Sequence, residues 1–238
     1  LFYALWIPDL FMERLERDEM WSLMSPDVCT GLTDVYGDDF NELYKKYESE
    51  GKYIKQISAR KLFTEIINSQ IETGGPYMLY KDACNGKSNQ KNIGTIKNSN
   101  LCAEIMEVSN TSEYAVCNLA SIALQRFLRK DGTYNYTRLG AVVEMLVENL
   151  DIIIDLNYYP TDECRKSNMN HRPIGIGVQG LADLFQMLRI PFTSDTAKQI
   201  NINIFETIYY HALKKSNEIA IERGAYSSFC GSPISKGI

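Results

Sequence analysis

The sequence predicts a mixed α/β fold in which helices predominate. Three stretches carry the apolar spacing of amphipathic helices, a fourth stretch has helix end signals, and short stretches between them have the character of strands. Because short strands alternate with helices along the chain, the expected architecture is an α/β layer or barrel. No internal repeat, low-complexity segment or linker divides the 238 residues.

The first two predicted helices have recognisable ends. An apolar stripe closed by Gly51 marks the first helix, and its members are Phe40, Leu43, Tyr44 and Tyr47. Ser58 is a natural N-cap for the second, since its hydroxyl can accept a hydrogen bond from a free first-turn amide. Its stripe comprises Leu62, Phe63, Ile66 and Ile67. This helix is predicted to end at Gly74-Gly75-Pro76.

Two longer helices are predicted in the second half of the chain. The third ends near Asn157, and its stripe consists of Val142, Val143, Leu146, Leu150, Ile153 and Ile154. The fourth begins near Ser194 and runs to Gly224, a residue type that commonly follows the last helical turn. Strands are predicted within 52–57, 94–108 and 173–178, and residues 82–98, rich in Asn, Lys, Gly and Ser, are predicted as a loop.

Composition narrows the class of protein. The net charge of −5 argues against a nucleic-acid-binding protein, which would carry a clustered basic face. No apolar run approaches the roughly 20 residues needed to cross a bilayer, and no secretory signal is recognisable. The six cysteines have no close pairing, which favours reduced thiols over disulfides or structural zinc. Apolar first residues without a Met suggest a chain cut from a longer one.

The stretch most suggestive of chemistry is Asn98-Ser99-Asn100-Leu101-Cys102-Ala103-Glu104-Ile105. If it is extended, Asn100, Cys102 and Glu104 point to one face, roughly 6.6 Å apart along the strand. Such spacing would line up an amide, a thiol and a carboxylate along a sugar-sized substrate. The alternative is an ordinary half-buried strand with a polar outer face, and alternation alone does not decide between them.

A second cysteine, Cys117, follows fifteen residues after Cys102 within Ala115-Val116-Cys117-Asn118-Leu119. Two neighbouring thiols in a reduced compartment can be redox partners, although a buried free cysteine more often acts as a small apolar residue. Both interpretations remain open from the residues alone.

Ordered motifs over nearly the whole chain closely resemble the large subunit of eukaryotic-type class I ribonucleotide reductases. The motifs are 76–82, Asn85, 87–90, 94–96, Ser99-Asn100-Leu101-Cys102 with Glu104, 115–121, 157–160, 171–183, 204–210 and 231–233. Several motifs in the same order are far more specific than any one of them.

The resemblance implies roles for four residues. Cys102 would form the thiyl radical that removes the 3′ hydrogen of a ribonucleoside diphosphate. Glu104 would take the 3′-hydroxyl proton, and Asn100 would bind the sugar hydroxyls. Cys117 would be one of two cysteines oxidised to a disulfide, with its partner upstream of this chain, so neither Cys29 nor Cys84 is assigned to that role.

The resemblance also implies a fold and partners. The fold is a ten-stranded α/β barrel of two parallel five-stranded halves arranged antiparallel, with the radical cysteine on a loop inside it. Residues 1–238 would be the central portion of this barrel, without the N-terminal ATP-binding domain or the C-terminal segment.

The parent protein would act in the cytoplasm as a homodimer with a radical-generating small subunit that holds a metal–radical cofactor. Thioredoxin or glutaredoxin would re-reduce it, and ATP or dNTP effectors would bind elsewhere.

Several other sequence features admit a competing interpretation. Gly175-Ile176-Gly177-Val178-Gln179-Gly180 matches a dinucleotide-binding fingerprint, but we interpret its glycines as a tight strand-to-helix turn. Tyr158-Tyr159 and Tyr209-Tyr210 do not match a radical relay, and His171 is interpreted as a structural hydrogen-bonding residue. A related anaerobic or cobalamin-dependent radical-barrel enzyme and a non-catalytic helical interaction module are the alternatives to the main hypothesis. The isolated chain is expected to be catalytically inactive.

Overall fold

The structure, a computed structural model, describes residues 3–238 and has a mixed α/β fold. Among these residues are six strands, arranged as three separate two-stranded sheets, and eight α-helices. The chain divides into two compact units. The first holds the described residues up to Ser112 together with Cys230–Ile238, and the second is Glu113–Phe229.

The first unit alternates four short strands with four helices. In chain order these are β1 Ala4–Ile7, α1 Asp9–Glu16, β2 Met20–Leu23, α2 Gly37–Ser49, β3 Lys55–Ser58, α3 Ala59–Thr73, β4 Tyr77–Tyr80 and α4 Lys81–Lys87. β1 pairs with β4 in parallel, and β2 pairs with β3 in antiparallel orientation. A short 3₁₀ turn, Ile234–Lys236, lies near the C-terminus.

An aromatic and ionic cluster joins α1, β2 and α2. The rings of Trp21 and Tyr44 stack with centroids 4.5 Å apart, and the Arg14 guanidinium lies 5.2 Å from the Tyr44 ring centroid. Arg14 donates two hydrogen bonds to the Glu48 carboxylate, at 2.7 and 2.6 Å. The Tyr44 hydroxyl donates to the Ser22 carbonyl at 2.9 Å and accepts from the Ser22 amide at 2.8 Å. The guanidinium of Arg14, the carboxylate of Glu48 and the hydroxyl of Tyr44 are therefore all hydrogen-bonded within this cluster.

Helix α4 lies against the starts of α1 and α2. One oxygen of the buried Asp82 carboxylate accepts the amide of Asp9 at 2.6 Å, and the other accepts the amide of Gly37 at 2.6 Å. These are the first residues of α1 and α2, whose amides have no partner within their own helix. The neighbouring Lys81 is also buried, donates to the Leu32 carbonyl at 2.6 Å, and has its pKa lowered to about 8 by burial.

The second unit packs helices around one strand pair. Its elements are β5 Leu119–Ala123, a 3₁₀ turn Leu124–Phe127, α5 Tyr136–Leu156, α6 Asp162–His171, β6 Gly175–Gln179, α7 Leu181–Leu188 and α8 Asp195–Arg223. β5 and β6 are parallel. The buried core is formed by Ile122, Leu124, Phe127, Leu139, Val143, Val147, Leu184, Phe185, Ala197, Ile204 and Ile208. A Cβ on Gly140 would lie 2.3 Å from His211 Nε2, so a side chain there would obstruct the approach of α5 to α8.

The four predicted helices are confirmed, with their ends. The Ser58 hydroxyl accepts the Lys61 amide at 3.2 Å, and Gly74 ends α3 with φ 77°. The Ser194 hydroxyl accepts the Ala197 amide at 3.1 Å at the start of α8. That helix stops at Arg223, directly before Gly224. Capping residues therefore mark the helix ends in the sequence as they do in the structure.

The strand predictions are only partly confirmed. β3 and β6 overlap the predicted strands 52–57 and 173–178, but no strand forms within 94–108. Residues 82–87, predicted as loop, belong to α4. The mixed α/β class is confirmed, while three separate strand pairs in residues 3–238 do not make a ten-stranded barrel, which stays a prediction. Within the described part of the chain, no helix is both long and apolar enough to cross a membrane.

We predict that Asp82→Ala lowers the stability of the first unit by about 2–3 kcal/mol, because two helices each lose a charged N-terminal partner. Hydrogen exchange of the Asp9 and Gly37 amides in the parent chain measures the effect. Asp82→Asn is the matched control, since it keeps one carbonyl acceptor and should lose protection at only one of the two amides. Unchanged exchange in Asp82→Ala would show that the carboxylate does not hold these helices.

Candidate active site

Cys102 lies at the tip of a loop in the first unit. We call residues 96–108 the Cys102 loop; it begins and ends at the buried Ile96 and Val108. The Cys102 side chain is exposed. Residues 101–103 form a turn, and Ala103 has φ 65°, in the left-handed region. The predicted extended strand through Cys102 is therefore wrong, because a left-handed residue interrupts the alternation of faces.

The base of the turn is closed by side chains that bond to the backbone of Ile105. The Ser99 hydroxyl donates to the Ile105 carbonyl at 2.6 Å, and the Asn100 side-chain carbonyl accepts the Ile105 amide at 3.1 Å. Ser and Asn side chains compete in this way with the hydrogen bonds of a sheet. This local closure is the physical reason that the segment turns instead of extending.

The turn brings Asn100 and Glu104 into direct contact. The Asn100 amide nitrogen donates to Glu104 Oε1 at 2.8 Å. An extended strand would have held the two side chains far apart, roughly 13 Å along the strand. In the loop, the neutral side-chain amide of Asn100 instead holds one oxygen of the exposed Glu104 carboxylate. Cys102 lies between these two residues in the sequence. A hydrogen bond of this kind fixes the orientation of a base before any substrate is present.

Glu107 is a functional candidate that the sequence analysis did not single out. Its Oε2 atom is buried and has no hydrogen-bond partner among residues 3–238. Burial raises the pKa of this carboxyl to about 7. The signal available in the sequence was a single charged residue inside the apolar run Ile105-Met106-Glu107-Val108. Glu107 lies three residues after the exposed Glu104 and is therefore a second titratable carboxyl on the same loop.

Cys117 belongs to the second unit, where its exposed thiol precedes β5. The next residue, Asn118, is buried, and its amide nitrogen donates to the Pro173 carbonyl at 2.9 Å. The Asn118 carbonyl accepts the Gly175 amide at 2.9 Å. Cys117 is therefore held at a well-anchored strand end. Cys102, in contrast, lies in the first unit.

The remaining cysteines have different surroundings. All six are free thiols, and Cys29 is buried with its sulfur donating to the Lys52 carbonyl at 3.0 Å. Cys84 and Cys164 are half-buried, and Cys230 is exposed. No group of three or more His, Cys, Asp or Glu side chains that could hold a metal ion occurs in the part of the chain that the structure describes.

Comparison with known proteins places this site in a family. A family model described as the ribonucleotide reductase barrel domain matches residues 1–238. The chain belongs to the ribonucleotide reductase barrel family. It is 58% identical over 238 residues to the ribonucleoside-diphosphate reductase large chain of Schizosaccharomyces pombe, covering 29% of that protein. Large subunits from Caenorhabditis elegans and Danio rerio are 57% and 56% identical, and 30% of each is covered. The whole of this chain takes part in each match, but it spans only about 30% of the length of these relatives.

The glycine-rich motif of this reductase-family chain covers strand β6, Gly175–Gln179, and ends at Gly180, so the predicted strand-to-helix turn is confirmed only for its last glycine. Gly180 lies between β6 and α7 with φ 77°, and a Cβ there would lie 2.1 Å from the Gln125 side-chain oxygen. A Cβ on Gly175 would lie 2.7 Å from the Leu119 side chain. Two of the motif's glycines therefore serve close packing.

The histidine and tyrosine predictions concern structural roles. His171 contacts Ser228 through Nδ1 at 2.9 Å and Glu113 through Nε2 at 2.6 Å, which confirms a hydrogen-bonding role. The Tyr159 hydroxyl donates to the Ile154 carbonyl at 2.7 Å, as expected of a packing residue with a satisfied hydroxyl. Tyr158 is 87% exposed, and Tyr209 and Tyr210 are also exposed.

We predict that Glu107→Gln stabilises the parent chain above pH 7 and leaves its stability unchanged below about pH 4. The pKa of Glu107 is raised in the folded state, so ionisation of the unfolded chain lowers wild-type stability progressively from about pH 4.5 to about pH 7. A neutral amide removes this loss, which is on the order of 3 kcal/mol. Chemical unfolding of both proteins between pH 4 and pH 8 measures the difference. Glu72→Gln, at an exposed site, is the control. A pH-independent difference between wild type and Glu107→Gln would contradict the assignment.

Proposed function

We propose that this chain is the central portion of the catalytic barrel of a class I ribonucleotide reductase large subunit. The parent protein would reduce ribonucleoside diphosphates to 2′-deoxyribonucleoside diphosphates and so supply DNA replication. The observation that carries the proposal is the Cys102 loop, in which the exposed Cys102 stands in sequence between Asn100 and Glu104, whose side chains are hydrogen-bonded to each other. Membership of the barrel family and the large-subunit relatives support it.

Cys102 would act as a thiyl radical that takes the 3′ hydrogen atom of the ribose and later returns it. A thiol suits this step because its S–H bond is close in strength to a ribose C–H bond, which makes the transfer reversible. Glu104 would take the 3′-hydroxyl proton, and the 2′-hydroxyl would leave as water after protonation. Asn100, which already holds the Glu104 carboxylate, would keep that base in register with the sugar hydroxyls.

Cys117 would supply reducing equivalents together with a cysteine upstream of this chain. Two thiols lose two electrons and two protons as their disulfide forms, and the substrate carbon gains the equivalent of a hydride in place of its hydroxyl. Thioredoxin or glutaredoxin would return the disulfide to thiols through exchange. The exposed position of Cys117 before β5 makes its sulfur available for such exchange.

Further components belong to the complete enzyme. A small subunit holding a metal–radical cofactor would supply the oxidising equivalent that makes Cys102 a radical. We propose a homodimer of the parent chain, regulated by ATP or dNTP effectors bound elsewhere on it, in the cytoplasm. The six strands found within residues 3–238 would pair with others to complete the ten-stranded barrel, in which residues 1–238 form the central portion.

We predict that Cys102→Ser in the parent chain abolishes deoxyribonucleotide formation when small subunit and dithiothreitol are present, because a serine O–H bond is too strong for the hydrogen exchange. Two controls should keep wild-type activity. Cys29→Ser replaces a buried thiol that only donates to a carbonyl, and Cys230→Ser replaces another exposed thiol. Product formation by Cys102→Ser would refute the radical role and favour a non-catalytic module. Turnover without any small subunit would favour an anaerobic or cobalamin-dependent enzyme instead.

A further inference from the structure

The two ends of the Cys102 loop are each held by a side-chain amide. At the first end, the Asn85 side chain accepts the Ile96 amide at 2.7 Å and donates to the Ile96 carbonyl at 3.1 Å. At the second end, the Gln90 side-chain oxygen accepts the Val108 amide at 2.6 Å. Ile96 and Val108 are 0% and 6% exposed, so both anchor points lie in the core.

Both amides belong to one short stretch of chain that is itself fixed. Asn85 lies in α4, is 2% exposed, and donates from the same nitrogen to the Lys81 carbonyl at 3.0 Å. The Gln90 amide donates to the Ser88 hydroxyl at 3.0 Å, and the Gln90 carbonyl accepts the Ile93 amide at 2.9 Å. The two anchors are therefore five residues apart on a common support.

No strand pairing supports the segment 94–108 among the residues that the structure describes. A loop without backbone pairing depends on side chains for its backbone hydrogen bonds, since buried amides must find a partner. The Val108 amide finds its partner in Gln90. Loss of that acceptor would leave a buried donor unsatisfied and would free one end of the loop.

We propose that Gln90, with Asn85, is a positioning residue that clamps the two ends of the Cys102 loop and so fixes where the thiol meets the substrate. The inference rests on the proposed function and deepens it, because neither side chain is assigned to the substrate or to the radical. A shift of about 1 Å at a reacting atom can cost about 100-fold in rate. The clamp therefore affects the chemical step more than substrate binding.

Gln90→Met tests the clamp in the parent enzyme with its small subunit. Methionine has nearly the same shape but offers no strong acceptor to the Val108 amide. We expect kcat to fall about 10- to 100-fold with KM changed less than about 3-fold. Gln90→Glu keeps an acceptor at the same position and should restore kcat to within about 3-fold of wild type. Gln199→Met, at an exposed site on α8, is the control for the substitution itself and should leave both constants unchanged.

The outcomes separate the clamp from the proposed function. If the wild-type enzyme makes product and Gln90→Met is equally active, the clamp is overturned but the proposed function stands. Absence of product from wild type would overturn the proposed function and the positioning role together. Equal losses in kcat for Gln90→Met and Gln90→Glu would also reject the role of the acceptor. If Gln90→Met does not fold, Gln90→Asn replaces it, because its shorter side chain keeps the amide but cannot reach Val108.

Discussion

The first unit depends on one carboxylate. Asp82 accepts the first amides of α1 and α2 through its two oxygens, so a single side chain satisfies donors from two helices that are far apart in sequence. The partial positive charge at a helix N-terminus favours an anion, and here two such termini share one. Because Asp82 also lies in the first turn of α4, it sets the position of that helix against the other two. One helical turn later, the Asn85 side chain accepts the Ile96 amide, so the position of α4 also fixes the backbone of Ile96. The location of the Cys102 loop therefore follows from a capping interaction more than ten residues away.

The long helices could be predicted because their information is local. α3 and α8 each lie between a serine cap and a glycine, α3 with an apolar stripe between them, and each structural boundary falls at those residues. α4 could not be predicted in this way, since its seven residues Lys-Asp-Ala-Cys-Asn-Gly-Lys contain no apolar stripe and include a glycine. Its stability comes from tertiary contacts of Lys81, Asp82 and Asn85. The four-residue strands are likewise too short to show a period of two.

The candidate site illustrates the opposite case. The identities of Asn100, Cys102 and Glu104 were available from the sequence through the family likeness, but their geometry was not. Alternation of polar and apolar residues suggested a strand, and two features that alternation does not encode decided otherwise: the backbone bonds of Ser99 and Asn100, and the left-handed Ala103. The burial of Glu107 was also hidden, because it depends on which atoms surround the loop and not on the loop's own residues.

The contacts that shape the Cys102 loop have a consequence for biosynthesis. The side chains of Asn85, Gln90, Ser99 and Asn100 close and anchor it, its Lys97 pairs with Asp34 further upstream, and the helices that Asp82 caps come earlier still. Interactions of short sequence separation form early, and chains fold from their N-terminal side during synthesis. The loop can therefore be complete on the ribosome before the second unit, which starts at Glu113, has been made. During that interval the nascent chain presents a finished loop with an exposed thiol, so oxidative damage at Cys102 can precede completion of the second unit.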